Sequence, residues 1–323
     1  MIKAIILFIV GLVLLIKGGD WFVEGAVGIA KKFHIPDILI GATVVSIGTT
    51  LPEVMVSSSA ALRNQGAMAY GNALGSIICN TALIAAITIA VKPGLVERKS
   101  LKTPVCFFFV AALVYALTAY FMGFFYRWTG ILLLVIFAVY MFILVKQAKK
   151  SMAEGKTEDE EVSETKERSI MMNIFLLVLG AALIAIGANL LVENGTIIAQ
   201  AMGVPQTVIA LTFVALGTSL PELVTAITSL AKGHGALSLG NVIGANLFNL
   251  VLVSGMSITL NPFKVPAEKM LGNFNASLVV DIPLVFIVMG ILTIPALING
   301  KLKRWQGISL LIIYFSFCIY QFV

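Results

Sequence analysis

In a chain of 323 residues, 59% are hydrophobic, only 12% are charged and the mean hydropathy is +1.01, far from the soluble balance of about half apolar and a quarter charged. This excludes a soluble domain and points to a bilayer, where each spanning helix needs about 20 apolar residues. The net charge of +6 would suit nucleic acid or anionic lipid, but in a membrane chain the placement of basic residues is what informs, and no nucleic-acid partner is expected.

Apolar runs predict an all-α membrane protein of ten transmembrane helices, near 3–30, 36–61, 67–91, 104–121 and 128–146, then 169–200, 205–231, 236–260, 275–298 and 305–322. The first run lacks an A-x-A-like cleavage site and continues through "DWFVEGAVGIAKKF", so it reads as a retained helix and not a signal peptide. Asp20 and Glu24 share a face of that helix and read as solvated or hydrogen-bonded groups near its end, with a cation-attracting vestibule as the alternative. The second helix carries "SIGTTLPEVMVSSS" (Ser46–Ser59) and the third "GNALGSIICN". After the fifth, residues 147–168 are dense in Lys, Glu and Ser and read as a charged cytoplasmic linker between the units 1–146 and 169–323. The seventh helix holds "ALGTSLPELVTAIT" and the eighth "GNVIGANLFN". Asp281 in the ninth reads as interfacial, His34 and His234 fall in loops without a role, and the three cysteines lack metal-ligand spacing.

The halves repeat. "GGDWFVEGAVGIAKKFHIPDILIGATVVSIGTTLPE" from Gly18 returns without a gap as "GANLLVENGTIIAQAMGVPQTVIALTFVALGTSLPE" from Gly187, and "GNALG" at Gly71 as "GNVIG" at Gly240, both 169 residues later. "RWTG" at Arg127 and "RWQG" at Arg304 are 177 apart, so eight extra residues lie between, assigned to the loop "LNPFKVPAEKMLGN". Five helices per copy is odd, which makes the repeats inverted. With the N- and C-termini outside, sixteen of the 22 Lys and Arg face the cytoplasm and five face out, as the positive-inside rule asks.

Inverted repeats typify secondary transporters, whose sites lie at the midplane where discontinuous helices meet. In "GTTLPE" and "GTSLPE", Gly and Pro are expected to bracket a break, the proline removing a donor and freeing carbonyls. Glu53 and Glu222 follow directly, at a cost of at least about 2.5 kcal/mol each in a membrane helix. No basic residue is near in sequence, so the partner is expected to be a cation from solution. The hydroxyls of Thr49, Thr50, Thr218, Ser219 and Ser76, the amides of Asn80 and Asn249, and both carboxylates are all oxygen donors. Such a set suits Ca²⁺, Na⁺, Mg²⁺ or Mn²⁺ and disfavours zinc or copper. Because Mg²⁺ sheds water reluctantly, a protein cage favours Ca²⁺.

The paired G-T-[ST]-L-P-E and G-N-x-x-G motifs resemble the alpha repeats of the cation/calcium exchanger superfamily, and the short linker is similar to that of prokaryotic sodium/calcium exchangers. The resemblance implies ions clustered between the second, third, seventh and eighth helices, with Glu53 and Glu222 binding Ca²⁺. It also implies that carbonyls and hydroxyls around Ser46, Thr49, Thr50, Ala215, Thr218 and Ser219 complete the Ca²⁺ and Na⁺ sites, and that the first and sixth helices slide against this core. Two departures stand out. Ser76 is matched by Ala245, where the family has serine in both copies, which implies one missing sodium ligand. Asn249 stands where several relatives carry aspartate, which argues against K⁺ transport.

The expectation is an electrogenic Na⁺/Ca²⁺ antiporter, not an enzyme, working by alternating access as a multi-pass monomer in a prokaryotic plasma membrane, with no cofactor beyond the transported ions. An H⁺-coupled Ca²⁺ (or Mn²⁺) antiporter using the same glutamates is the alternative. A passive channel is disfavoured by the inverted halves, and an intramembrane hydrolase by the placement of both histidines.

Overall fold

The computed structural model describes residues 2–154, 168–202, 217, 219–267 and 269–322, which are almost entirely helical. In chain order the helices are α1 (Ile2–Phe33), α2 (Asp37–Leu62), α3 (Gly66–Val91), α4 (Arg98–Met122), α5 (Arg127–Glu154), α6 (Ile170–Ala201), α7 (Leu220–Ala231), α8 (Gly235–Leu260), α9 (Ser277–Asn299) and α10 (Arg304–Phe322). Eight of these, all but α7 and α10, are long and apolar enough to cross a membrane. Their outer faces carry exposed Ile5, Ile9, Leu12, Ile16, Phe142 and Val178, a surface that only a hydrocarbon solvent leaves without penalty.

The main difference from the sequence reading lies at the linker. α5 does not stop near 146 but runs on to Glu154, because Gln147, Ala148, Lys149 and Lys150 are good helix formers and Gln147 Nε2 donates to Thr103 Oγ1 at 2.8 Å. Residues 155–167 lie outside the described residues. The eight-residue insertion is visible as structure: β1 (Phe124–Phe125) pairs antiparallel with β2 (Phe263–Lys264), and β3 (Met270–Leu271) folds onto β4 (Phe274–Asn275) around Gly272, whose φ is +62°.

Two apolar clusters divide the interior. The larger is built mainly from α3, α4, α5, α8, α9 and α10, and the smaller joins Leu15, Phe22, Val23 and Ala26 of α1 to Ile184 and Ala188 of α6, with Ile40 and Val45 of α2 and Leu237 of α8. The α1–α6 pair is held by backbone approach. A Cβ added at Gly11 would lie 2.9 Å from the Gly187 carbonyl, one at Gly18 2.9 Å from that of Gly180, and one at Gly25 2.5 Å from that of Asn173. Contacts that fall by seven on one helix as they rise by seven on the other define an antiparallel pair in fixed register. Small residues at each step allow that approach, which in a bilayer supplies packing without a hydrophobic driving force. Because α1 and α6 are equivalent positions of the two repeats, their antiparallel packing is the inversion itself.

Gly18→Leu would push side-chain atoms into the α6 backbone, and overpacking costs about 1–3 kcal/mol. The melting temperature in detergent is expected to fall by several degrees. Gly290→Ala, where an added Cβ meets only Ile294 Cδ1 at 3.6 Å, should leave it unchanged; equal effects of both would contradict this packing.

Candidate ion-binding site

α2 is helical from Ser46 to Leu62 straight through Pro52, so the expected break at Gly48–Pro52 does not occur in the first copy. Proline removes one donor at a cost of about 3 kcal/mol, and packing on α1 and α8 carries the helix past it. The irregular segment comes earlier, as a π-helical turn at Gly41–Val45. Its carbonyls find side-chain partners: Ser46 Oγ donates to Gly41 O at 2.7 Å and Tyr140 Oη to Ala42 O at 3.2 Å. In the second copy the described helix begins at Leu220, with Pro221 in its first turn, where a missing N–H costs nothing. Glu222 therefore sits at a helix start and Glu53 within a helix.

Two more π turns begin at equivalent residues, Asn80–Ala85 in α3 and Asn249–Val253 in α8. π turns are rare and mark functional sites. α2 packs against the turn at Asn249 and α7 against the turn at Asn80, so each glutamate helix crosses the asparagine turn of the other repeat.

Glu53, Glu222, Thr49, Thr50, Ser46, Ser76, Asn80, Ser219 and Asn249 are all buried, at most 4% exposed. Both carboxylate oxygens of Glu53, one of Glu222, and both amide atoms of Asn80 and Asn249 lack a hydrogen-bond partner among the described residues. Buried polar groups are ordinarily paired, and each orphan costs about 1–3 kcal/mol. Here the orphans come from four helices, and the two carboxylates act on each other electrostatically. Thr50 Oγ1 donates to Glu222 Oε1 at 3.4 Å, a direct link between the halves. The described residues contain no cluster of three His, Cys, Asp or Glu, so the donor set is hard oxygen built on two charges. Ala215 and Thr218, both expected in the site, lie outside the described residues.

Sequence reasoning passed over the asparagines inside G-N-x-x-G. Asn72 Nδ2 donates to Ser57 Oγ at 2.8 Å and to Glu53 O at 3.4 Å, while Asn241 Oδ1 accepts from Thr49 Oγ1 at 3.3 Å. The signal was present as Asn72, Ser76, Asn80 and Asn241, Ala245, Asn249, each at the i, i+4, i+8 spacing of one helix face. The glycines have a second use: a Cβ at Gly240 would lie 2.3 Å from Ile38 O, and one at Gly244 2.7 Å from Ala42 Cα, so α8 meets α2 backbone to backbone.

Outside the cluster, Lys232 Nζ lies 3.3 Å from Asp20 Oδ1 and 3.0 Å from Glu24 Oε1, and Arg168 Nη1 lies 2.6 Å from Glu24 Oε2. The acidic pair on α1 is thus neutralised by protein cations, which overturns the vestibule alternative. His234 Nδ1 pairs with Asp37 Oδ2 at 2.9 Å at the start of α8, a contact the sequence did not reveal. Asp281 closes the π turn that opens α9 and is partly buried.

A family model described as sodium/calcium exchanger protein matches residues 3–146 and 172–323. The chain belongs to the sodium/calcium exchanger family. Among proteins similar to this exchanger are the sodium/calcium exchanger MaX1 of Methanosarcina acetivorans, 31% identical with 98% of each chain covered, and the inner membrane protein YrbG of Escherichia coli, 35% identical with 87% of each covered. A solved structure of the sodium-calcium exchanger NCX_Mj, soaked with Na⁺ and Sr²⁺, superposes with a TM-score of 0.80 at 30% identity over 98% of this chain and 97% of the other. The exchanger is accordingly a multi-pass membrane protein of the inverted-repeat, all-α fold.

In ion-free detergent solution, Glu53→Gln removes a buried carboxylate that has no hydrogen-bond partner among the described residues, so the variant is expected to melt several degrees above the native protein. A lower melting temperature would show that Glu53 is paired within the protein after all.

Proposed function

We infer that this chain is a secondary-active antiporter that exchanges Na⁺ for Ca²⁺, with the ions bound between Glu53 and Glu222. The observation that carries the reading is a pair of fully buried carboxylates, contributed by inverted helices, with three of their four oxygens unpartnered among the described residues and so open to a ligand from solution. The family and the exchangers that resemble the chain support it.

Two bare carboxylates cannot be carried through a low-dielectric interior, since several kcal/mol of desolvation per charge opposes it. One Ca²⁺ neutralises them, and so do Na⁺ ions in sufficient number. The loaded core can then pass the apolar faces of α1 and α6, whereas an unloaded core stays where it is. That difference enforces exchange over leak. Thr49, Thr50, Thr218, Ser219, Ser76, Asn80 and Asn249, with Ser46 and Ala215, supply the neutral oxygens: hydroxyl, amide and, at Ala215, backbone carbonyl. A third Na⁺ beyond two would make the cycle electrogenic. All of these groups come from one chain, so the monomer is the working unit. The basic residues set the orientation, with both termini outside and residues 147–168 in the cytoplasm.

Proteoliposomes loaded with Na⁺ should accumulate ⁴⁵Ca²⁺ when external Na⁺ is removed. Glu53→Gln and Glu222→Gln are each expected to reduce this uptake by two orders of magnitude or more, the scale of losing a hydrogen-bonded charge worth about 3 kcal/mol. Full activity in either variant would defeat the reading. Imposing a pH gradient without Na⁺ should drive no ⁴⁵Ca²⁺ uptake; uptake there would instead establish proton coupling.

A further inference from the structure

The repeat lets the halves be compared residue by residue, and at two of the expected site positions a serine is matched by an alanine: Ser46 by Ala215, and Ser76 by Ala245. Taken one helix at a time, each is a lost hydroxyl. Across the crossings between helices they are not. Ser46 lies on the same face of α2 as Thr49, Thr50 and Glu53, at the i, i+3, i+4, i+7 spacing, and all four are buried. The facing stripe on α8 runs Asn241, Ala245, Asn249, without a hydroxyl at its middle position. Ser46 Oγ comes within 3.0 Å of Asn241 O, the carbonyl that an α-helix pairs with the amide four residues on, that of Ala245. A Cβ added to Gly244 would lie 2.3 Å from the same Oγ, so the hydroxyl occupies the turn that holds Ala245.

We propose that the Ser46 hydroxyl replaces the one missing at Ala245, so that the α2–α8 crossing keeps one side-chain hydroxyl as a Na⁺ ligand. In sequence the matched positions of the repeats reverse the pattern, with serine at Ser76 and alanine at Ala215. The hydroxyl lost from the α8 stripe is thus regained on α2, and the site loses no sodium ligand relative to a chain with serine at both stripe positions. This rests on the exchanger reading above. The Ser46 proton points to a carbonyl, Gly41 O at 2.7 Å, which leaves lone pairs for a cation. Within 3.4 Å of Ser46 Oγ lie Asn241 O and Asn241 Oδ1, and Thr49 Oγ1 donates to the same Oδ1, a neutral, hard set that suits a monovalent ion. Ser46 lies seven residues before Glu53, roughly 10 Å along the helix, whereas two ligands held at 2.3–2.6 Å by one Ca²⁺ are at most about 5 Å apart, so the contribution is to Na⁺ and not to Ca²⁺ between the carboxylates.

The test is a swap measured as Na⁺-dependent ⁴⁵Ca²⁺ exchange, with ⁴⁵Ca²⁺/Ca²⁺ exchange in Na⁺-free buffer alongside. Ser46→Ala is expected to raise the Na⁺ concentration for half-maximal activity about tenfold, equivalent to about 1.4 kcal/mol, a larger effect than on Ca²⁺/Ca²⁺ exchange in the same variant. Adding Ala245→Ser to that variant should bring the value back to within about threefold of native. The near-isosteric Ser46→Cys, which puts soft sulfur in place of oxygen, should repeat the loss and guards against misfolding of the alanine variant. Unchanged Na⁺ dependence in Ser46→Ala or Ser46→Cys, or a folded double variant without rescue, would overturn the proposal. If the native protein exchanges no Ca²⁺ for Na⁺ at all, it is the parent reading that fails.

Discussion

Glu53 and Glu222 are fully buried, and three of their four carboxylate oxygens have no hydrogen-bond partner among the described residues. A carboxylate alone in a bilayer interior is costly, and two facing each other are costlier still, so the ground state of this fold depends on cations drawn from solution. The surrounding design follows from that need. Buried hydroxyls and amides accompany the carboxylates, and Lys232 and Arg168 pair instead with Asp20 and Glu24.

A site of this kind must be rigid in itself and yet move relative to something. The rigidity comes from backbone-close crossings, where Gly240 and Gly244 bring α8 onto α2, and from π turns whose spare carbonyls are taken by Ser46 and Tyr140. The α1–α6 pair, proposed above as the moving counterpart, meets at Gly11–Gly187 and Gly18–Gly180 and shares a smaller apolar cluster with Ile40 and Val45 of α2 and Leu237 of α8. That apolar contact is the boundary across which alternating access would shift the two parts of a small inverted repeat.

Much of this was legible in the residues. Helix number and boundaries followed from apolar runs, because a bilayer imposes a length that composition alone reveals. The inversion followed from an odd helix count, and the two glutamates from their cost. What escaped reading were features made between helices distant in sequence. "GTTLPE" suggested an interrupted helix at Pro52, whereas packing keeps it continuous and puts the irregular turn at Gly41–Val45. Asp20 and Glu24 were read as solvated or hydrogen-bonded, but their partner Lys232, over 200 residues away, gives no periodic signal. The approach of Ser46 to Asn241 and Gly244 was hidden for the same reason, since it exists only once α2 and α8 have crossed.

The most direct test of the central claim, that only a charge-neutralised core moves, is the reversal potential of Ca²⁺ flux in proteoliposomes with clamped Na⁺ gradients and membrane voltage. The account predicts that the null point shifts with both the Na⁺ gradient and the voltage, in the ratio set by more than two Na⁺ per Ca²⁺. A null point fixed at the Ca²⁺ equilibrium potential whatever the Na⁺ gradient would mean that Ca²⁺ passes unaccompanied, and would contradict it.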